Sequence, residues 1–206
     1  MTEEERRHGE LKKIKDELLA FKKSPLYTFR TENKYFPVIG EGSHFAKIMF
    51  VGEAPGKNEA LQGRPFCGAS GRVLNQLLES AGIKREEVYI TNIVKDRPPE
   101  NRDPSDWEKE LYAPFLDRQI EIIQPKVVAA LGRHSMEYLM KHFGLEDKLE
   151  PISQAHGKAF ESKASYGKVY IVALYHPAVA IYNIHQKPIL VADFKVINKL
   201  THTKHI

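Results

Sequence analysis

Four short apolar runs, separated by stretches of helical periodicity, constrain this chain more than any other feature. They are Lys47-Ile48-Met49-Phe50-Val51, Val88-Tyr89-Ile90-Thr91-Asn92, Lys126 to Leu131 and Val169 to Leu174. Apolar runs this short, bounded by turn formers, read as strands buried on both faces. Helical patterns lie between them. One runs from about Gly71 to Ala81 and ends at Gly82, a natural left-handed cap. Another begins at Asp103-Pro104-Ser105, where Ser105 and Glu108 have capping-box spacing, and runs to about Ile123. A short helix follows Gly132 through about His142, and a last one spans about Pro188 to Leu200. At the N-terminus, Leu11, Ile14, Leu18, Leu19 and Phe21 recur at spacings that predict an amphipathic helix over about 3–22. Glu146 to Ser165 reads as irregular. Strands alternating with helices predict an α/β fold, a mainly parallel sheet covered on both faces.

At 206 residues the chain fits a single domain over 1–206, large enough to bury roughly 70% of its unfolded surface. It needs no staple to do so, and Cys67, the sole cysteine, excludes an internal disulfide and a cysteine-built metal site. None of the histidines pairs at metal-ligand spacing, so no metal is expected. The apolar runs are too short to span a bilayer, and the charged N-terminus lacks an apolar signal core. A reducing, cytoplasmic setting without membrane attachment is therefore expected. The net charge of +4 and the pI of about 9.0 permit a nucleic acid partner without requiring one.

Parallel sheets bind ligands at the carboxyl ends of their strands. Three of those ends carry polar or glycine-rich features: Gly52-Glu53-Ala54-Pro55-Gly56, Asn92, and His176-Pro177. Each alone is a turn between elements; their convergence on one edge marks a site. The Gly52–Gly56 loop can bring backbone N–H groups close to a ligand. No Gly-Lys-Ser/Thr follows it, so it is not a phosphate-binding P-loop, and no dinucleotide fingerprint is present. In Gln62-Gly63-Arg64-Pro65-Phe66-Cys67-Gly68, Phe66 is either a stacking face for a planar base or a core residue, and Cys67 reads as packing. Asn92 can donate and accept at once, which suits a pyrimidine edge, or it simply closes a strand. His176, restrained by Pro177, could donate to charge developing on a leaving group, or serve the structure alone. Lys57, Arg64, Arg72, Lys95, Arg97, Arg102 and Lys187 interleave with these loops, as phosphate contacts or as solvated surface charges.

Taken in order, Gly52-Glu53-Ala54-Pro55-Gly56, Gly63-Arg64-Pro65-Phe66, Tyr89 to Lys95, Arg97 to Pro104, Pro125-Lys126-Val127-Val128, Leu131-Gly132-Arg133 and Tyr175-His176-Pro177-Ala178 closely resemble family-4 uracil-DNA glycosylases. The resemblance runs from roughly Leu19 to Leu200. It implies a four-stranded, mainly parallel sheet between helices and a monofunctional DNA repair glycosylase. Such an enzyme would hydrolyse the N-glycosidic bond of a flipped-out uracil and leave an abasic site. Carried over by position, Phe66 stacks on uracil, Asn92 reads its edge and His176 stabilises the departing anion. Backbone groups of Gly52, Ala54, Pro55 and Gly56 line the pocket. Val179, Ala180 and Ile181 occupy the place from which the family wedges into the duplex, and of the basic residues that interleave with the loops, Lys57, Arg64, Lys95 and Arg97 are expected to meet DNA. Glu53 is the nearest carboxylate to the reaction; it either orients the water or braces its loop.

The resemblance also implies a four-iron cluster on four cysteines, but those places fall at Phe21, Ser24, Asp96 and Tyr112. None is a thiolate. A cofactor-free variant is expected, with Phe21 and Tyr112 packing in place of the cluster. The partner implied is uracil-containing DNA, which would associate the protein with the nucleoid, and a monomer is expected. Two alternatives remain open: a non-catalytic binder of uracil-containing or deaminated DNA, and a glycosylase for hypoxanthine or xanthine.

Overall fold

The computed structural model describes residues 1–202; residues 203–206 lie outside the description. The helices are α1 Glu3–Leu19, α2 Leu26–Glu32, α3 Lys57–Gln62, α4 Ala69–Ser80, α5 Asp106–Ile123, α6 Arg133–His142, α7 Ile152–Ala155, α8 Val179–Tyr182 and α9 Lys187–His202. The strands are β1 Glu41–Gly42, β2 Ile48–Gly52, β3 Tyr89–Asn92, β4 Val127–Leu131, β5 Ala159–Ala164 and β6 Gly167–Leu174. They form one sheet in the order β1-β3-β2-β4-β6-β5.

The four strands expected from the apolar runs, β3, β2, β4 and β6, are its parallel centre. The sheet itself has six strands rather than four, because β1 and β5 add antiparallel edges. Neither edge leaves an apolar signal. Strand β1 is two residues long, and β5 alternates exposed with half-buried residues. The segment 146–165 is therefore not irregular throughout: it holds α7 and β5, and β5 turns back into β6.

Burial on both faces follows from the alternation of side chains across each strand. In β2, Met49 and Val51 face the layer of α1, α5 and α6, whereas Ile48 and Phe50 face the layer of α4 and α9. Helix α1 starts at a capping box between Thr2 and Glu5 and stops at Leu19, short of the predicted residue 22. Past its end, Phe21 packs edge-on against Tyr112 and Phe115, and that contact outweighs one further helical turn. The predicted Ser105–Glu108 capping box opens α5. Among the described residues no helix is long and apolar enough to cross a membrane.

All four parallel strands point the same way, so their carboxyl ends share one edge. Gly52 and Asn92 are directly in register there.

Candidate functional site

At that edge Ala54, Pro55, Gly56, Glu59, Phe66, Ser70, Asn92 and His176 line a cavity of about 180 Å³. Close approach of β2 to its neighbours makes the space possible. A Cβ on Gly52 would collide with Asn92 Oδ1 and come within 2.9 Å of the Phe66 ring. A Cβ on Gly71 would overlap the Phe66 carbonyl, so the turn that carries Phe66 can seat on the first turn of α4. Phe66 itself has φ +48°, a left-handed conformation that side chains rarely adopt. Strain of this kind persists where surrounding structure over-determines it. Here Glu59 supplies part of that structure, its Oε1 accepting from the N–H groups of Cys67 at 3.0 Å and Gly68 at 2.7 Å.

Asn92 is buried at the end of β3, and Lys95 lies beneath it. Lys95 is not a DNA contact. It is 0% exposed, and its Nζ donates to Thr91 Oγ1 at 2.7 Å, the Asn92 carbonyl at 2.6 Å and Gln119 Oε1 at 2.5 Å. Three donors meet three oxygens, and burial pushes the amine well below its ordinary pKa. A sequence pattern of alternating basic residues cannot reveal that one of them turns inward.

His176 follows β6, its ring 5.8 Å from that of Phe66. The Ala178 N–H donates to His176 Nδ1 at 3.2 Å, so Nδ1 is an acceptor and the neutral ring carries its proton on Nε2. Burial pushes the pKa down to about 4, against a weaker opposing pull from Glu59. At neutral pH the ring is thus an uncharged N–H donor beside an aromatic face and a carboxamide.

Glu53 does not line this cavity. It lines a second one of about 210 Å³, together with Arg102, Asp103, Arg133 and His134, and the two share Ala54, Pro55, Gly56 and His176. Its Oε1 is buried without a hydrogen-bond partner among the described residues. Burial raises the Glu53 carboxyl, and His134 opposes that rise.

The remaining predicted contacts divide. Arg64 is exposed but makes a bidentate pair with Glu41 at 2.7 and 2.8 Å. Arg97 donates to Asn101 Oδ1 at 2.8 Å and Tyr35 Oη at 2.9 Å. Lys57 is exposed at the start of α3. Ala180 is corrected from a wedge residue to a core one, 5% exposed among the α4 and α9 side chains, and Val179 is half-buried against them. Ile181 is 46% exposed and Tyr182, which the sequence reading passed over, is 89% exposed. One turn of α8 explains the split, since consecutive helical residues face different ways.

Phe21, Ser24, Asp96 and Tyr112 come together in space, yet they do not fit an iron cluster, since they offer no sulfur. They form a network of their own instead. The Tyr112 hydroxyl bridges Ser24 Oγ at 2.7 Å and Asp96 Oδ2 at 2.5 Å. Arg30 Nη1 donates to both Asp96 oxygens at 3.0 and 3.1 Å and to the Leu18 carbonyl at 2.9 Å. The expected apolar packing of Phe21 on Tyr112 is present, but the centre of the site is polar.

Three residues that matter here escaped the sequence reading: Glu59, Arg30 and His134. Glu59 carried a usable signal, because it lies three residues into the helical pattern that the Gly52–Gly56 loop opens. Arg30 and His134 carried none.

The Uracil DNA glycosylase superfamily model matches residues 39–198. A type-4 uracil-DNA glycosylase of Sulfurisphaera tokodaii is 46% identical over 194 residues, covering 94% of this chain and 86% of that protein. One from Saccharolobus solfataricus is 42% identical over 194 residues, 94% of this chain and 87% of its own length. One from Archaeoglobus fulgidus is 42% identical over 188 residues, 91% and 92% of the respective chains.

Proposed function

Because this chain belongs to the uracil DNA glycosylase superfamily, within its type-4 branch, we propose that it hydrolyses the N-glycosidic bond of uracil flipped out of DNA, releasing the base and leaving an abasic site. The observation that carries this reading is the cavity at the strand ends, where a Phe66 face, the Asn92 carboxamide and a neutral His176 donor converge.

Each group has a step. Phe66 stacks on the extruded base, and such stacking contributes roughly 1–3 kcal/mol. The backbone at Ala54, Pro55 and Gly56 closes the pocket, whose shape rejects the thymine methyl, while Gly52 does not line it but makes room for Asn92 and Phe66 by lacking a Cβ. Asn92 matches the hydrogen-bond pattern of uracil rather than that of cytosine. The C1′–N1 bond then breaks with its electron pair on the base, giving an anion and an oxocarbenium-like sugar. His176 Nε2–H donates to the charge growing on the anion. Water adds through oxygen to C1′, its proton passing toward Glu53, and the released anion takes a proton from solvent. Phosphates of the DNA offset charge on the sugar.

Extrusion needs something to fill the gap, and Ile181 and Tyr182 are exposed on α8, the helix that follows His176. Lys57 lies at the pocket loop for phosphate contact, whereas Arg64 and Arg97 would first have to leave their present partners. We propose a monomer, which DNA binding would hold at the nucleoid. Tyr182→Ala is expected to slow excision from duplex DNA about tenfold, in line with loss of one base–aromatic stack, and to leave single-stranded uracil DNA unaffected. Equal loss on both substrates would remove the wedge assignment.

The direct test incubates the protein, with chelator present, with oligonucleotides carrying one uracil or one hypoxanthine, followed by alkaline cleavage. Cleavage at uracil is the expected result. Binding without cleavage, or cleavage at hypoxanthine alone, would overturn the proposed reaction or its substrate.

A further inference from the structure

Glu53 is surrounded by charges that the reaction above leaves unused. On α6, His134 places Nδ1 3.7 Å from Glu53 Oε1. Asp103, ahead of α5, places Oδ2 3.3 Å from Nε2 of the same ring. The other charges near Glu53 are Arg133 on α6 and Lys109 on α5. Arg133 Nη2 is 3.1 Å from His134 Nε2.

These contacts orient the imidazole in either protonation state. When the ring is neutral, Arg133 donates to Nε2, which leaves the proton on Nδ1, toward Glu53. When the ring is charged, Asp103 accepts from Nε2–H and Nδ1–H still faces Glu53. The 3.7 Å gap is too long for a direct hydrogen bond, so the interaction is ionic or passes through water. Meanwhile the buried, unpartnered Glu53 Oε1 favours the protonated acid, a form that cannot take a proton from water.

We propose that His134, held by Asp103 and Arg133, is a positioning residue that keeps Glu53 in its carboxylate form, the form that can take a proton from the attacking water. The proposal rests on the reading of Glu53 as the water-orienting group.

Loss of activity in acid would then follow protonation of Glu53. An opposite charge at this range lowers a carboxyl pKa by about one unit or more, so removing the imidazole must move the acid limb to higher pH. The experiment measures single-turnover excision of uracil from single-stranded DNA, at saturating enzyme, across pH. His134→Ala is expected to shift the acid limb upward by about one pH unit, about tenfold in rate on the limb, and to converge on wild type in alkali. His134→Arg, which restores a cation, is expected to bring the limb back toward wild type. A uniformly lowered rate with an unmoved limb, or a lowered melting temperature alone, would overturn the proposal. Glu53→Gln, run beside them, separates the two ideas. If it is slow while the His134→Ala profile superimposes on wild type, only the role of His134 falls. If it matches wild type, the reading of Glu53 falls, and this proposal with it.

Discussion

His176→Ala is expected to lower the single-turnover excision rate by about 100- to 1,000-fold, the range for loss of one preorganised donor to a developing anion. The geometry makes the ring a donor that needs no rearrangement. The Ala178 N–H occupies Nδ1, leaving the proton on Nε2, and burial holds the pKa near about 4, so the ring stays neutral at working pH. A neutral donor suits a uracil anion, because it stabilises charge without giving up its proton early. Asn92→Ala should act in the same direction, through lost recognition of the base edge. Duplex binding should survive in both variants, since phosphate contacts supply most of it. Single-turnover rates on single-stranded uracil DNA check the prediction, and a His176→Ala rate within about threefold of wild type, far short of a donor's usual contribution, would remove the anion-stabilising role. The same burial carries a stability consequence. An unfolded chain takes up the His176 proton near the ordinary value of about 6.5, whereas the folded chain resists until about 4. Stability from this group is therefore present at neutral pH and lost as pH falls from about 6.5 toward 4. The alanine variant should lose that part of the acid dependence.

The second large effect lies away from the reaction. Asp96→Ala breaks a buried pair and leaves the Arg30 guanidinium without its carboxylate. Removing one partner of such a pair costs about 3–5 kcal/mol, which for a chain of this length lowers the melting temperature by roughly 10 °C. Asp96 joins stretches far apart in sequence. Arg30 also holds the carbonyls of Leu18 and Leu19 at the end of α1, and Tyr112 brings in α5 and Ser24. The network thus ties the N-terminal helices to the sheet at the place where the family resemblance implies a metal cluster. Tyr112→Phe keeps the ring packing and removes only the hydroxyl, so its cost should be smaller, about 1–3 kcal/mol. Thermal melting with and without chelator checks both. An Asp96→Ala protein that melts with wild type would show that the network does not staple these elements, and a chelator-sensitive melt would show that metal does.

The parallel centre of the sheet was legible because its strands are apolar on both sides, a pattern that few other structures produce. The two edge strands were not. A strand with one wet face and one partner needs only a register, and β5 takes its register from β6 rather than from its own residues. The same division runs through the site. Gly52, Asn92 and His176 were readable as a set because they punctuate strand ends, where local backbone demands restrict the residue type; Phe66 stands apart from the strands, in the glycine- and proline-punctuated turn between α3 and α4.

Orientation of individual side chains was decided elsewhere. Lys95 follows Asn92 by three residues and reads as one more basic loop residue, yet packing turns it inward to hold the Asn92 carbonyl. Ala180 and Tyr182 are two residues apart, and the α8 turn buries one and exposes the other. Ser24, Asp96 and Tyr112 read as missing ligands until the fold brings them within hydrogen-bonding distance. Sequence by itself determined the alternation of elements, and with it the edge where the site lies, because periodicity and turn chemistry act over a few neighbouring residues. Tertiary structure alone decided which charges are buried, which are paired and which face the cavity, because those depend also on partners as far as 88 positions away in the chain.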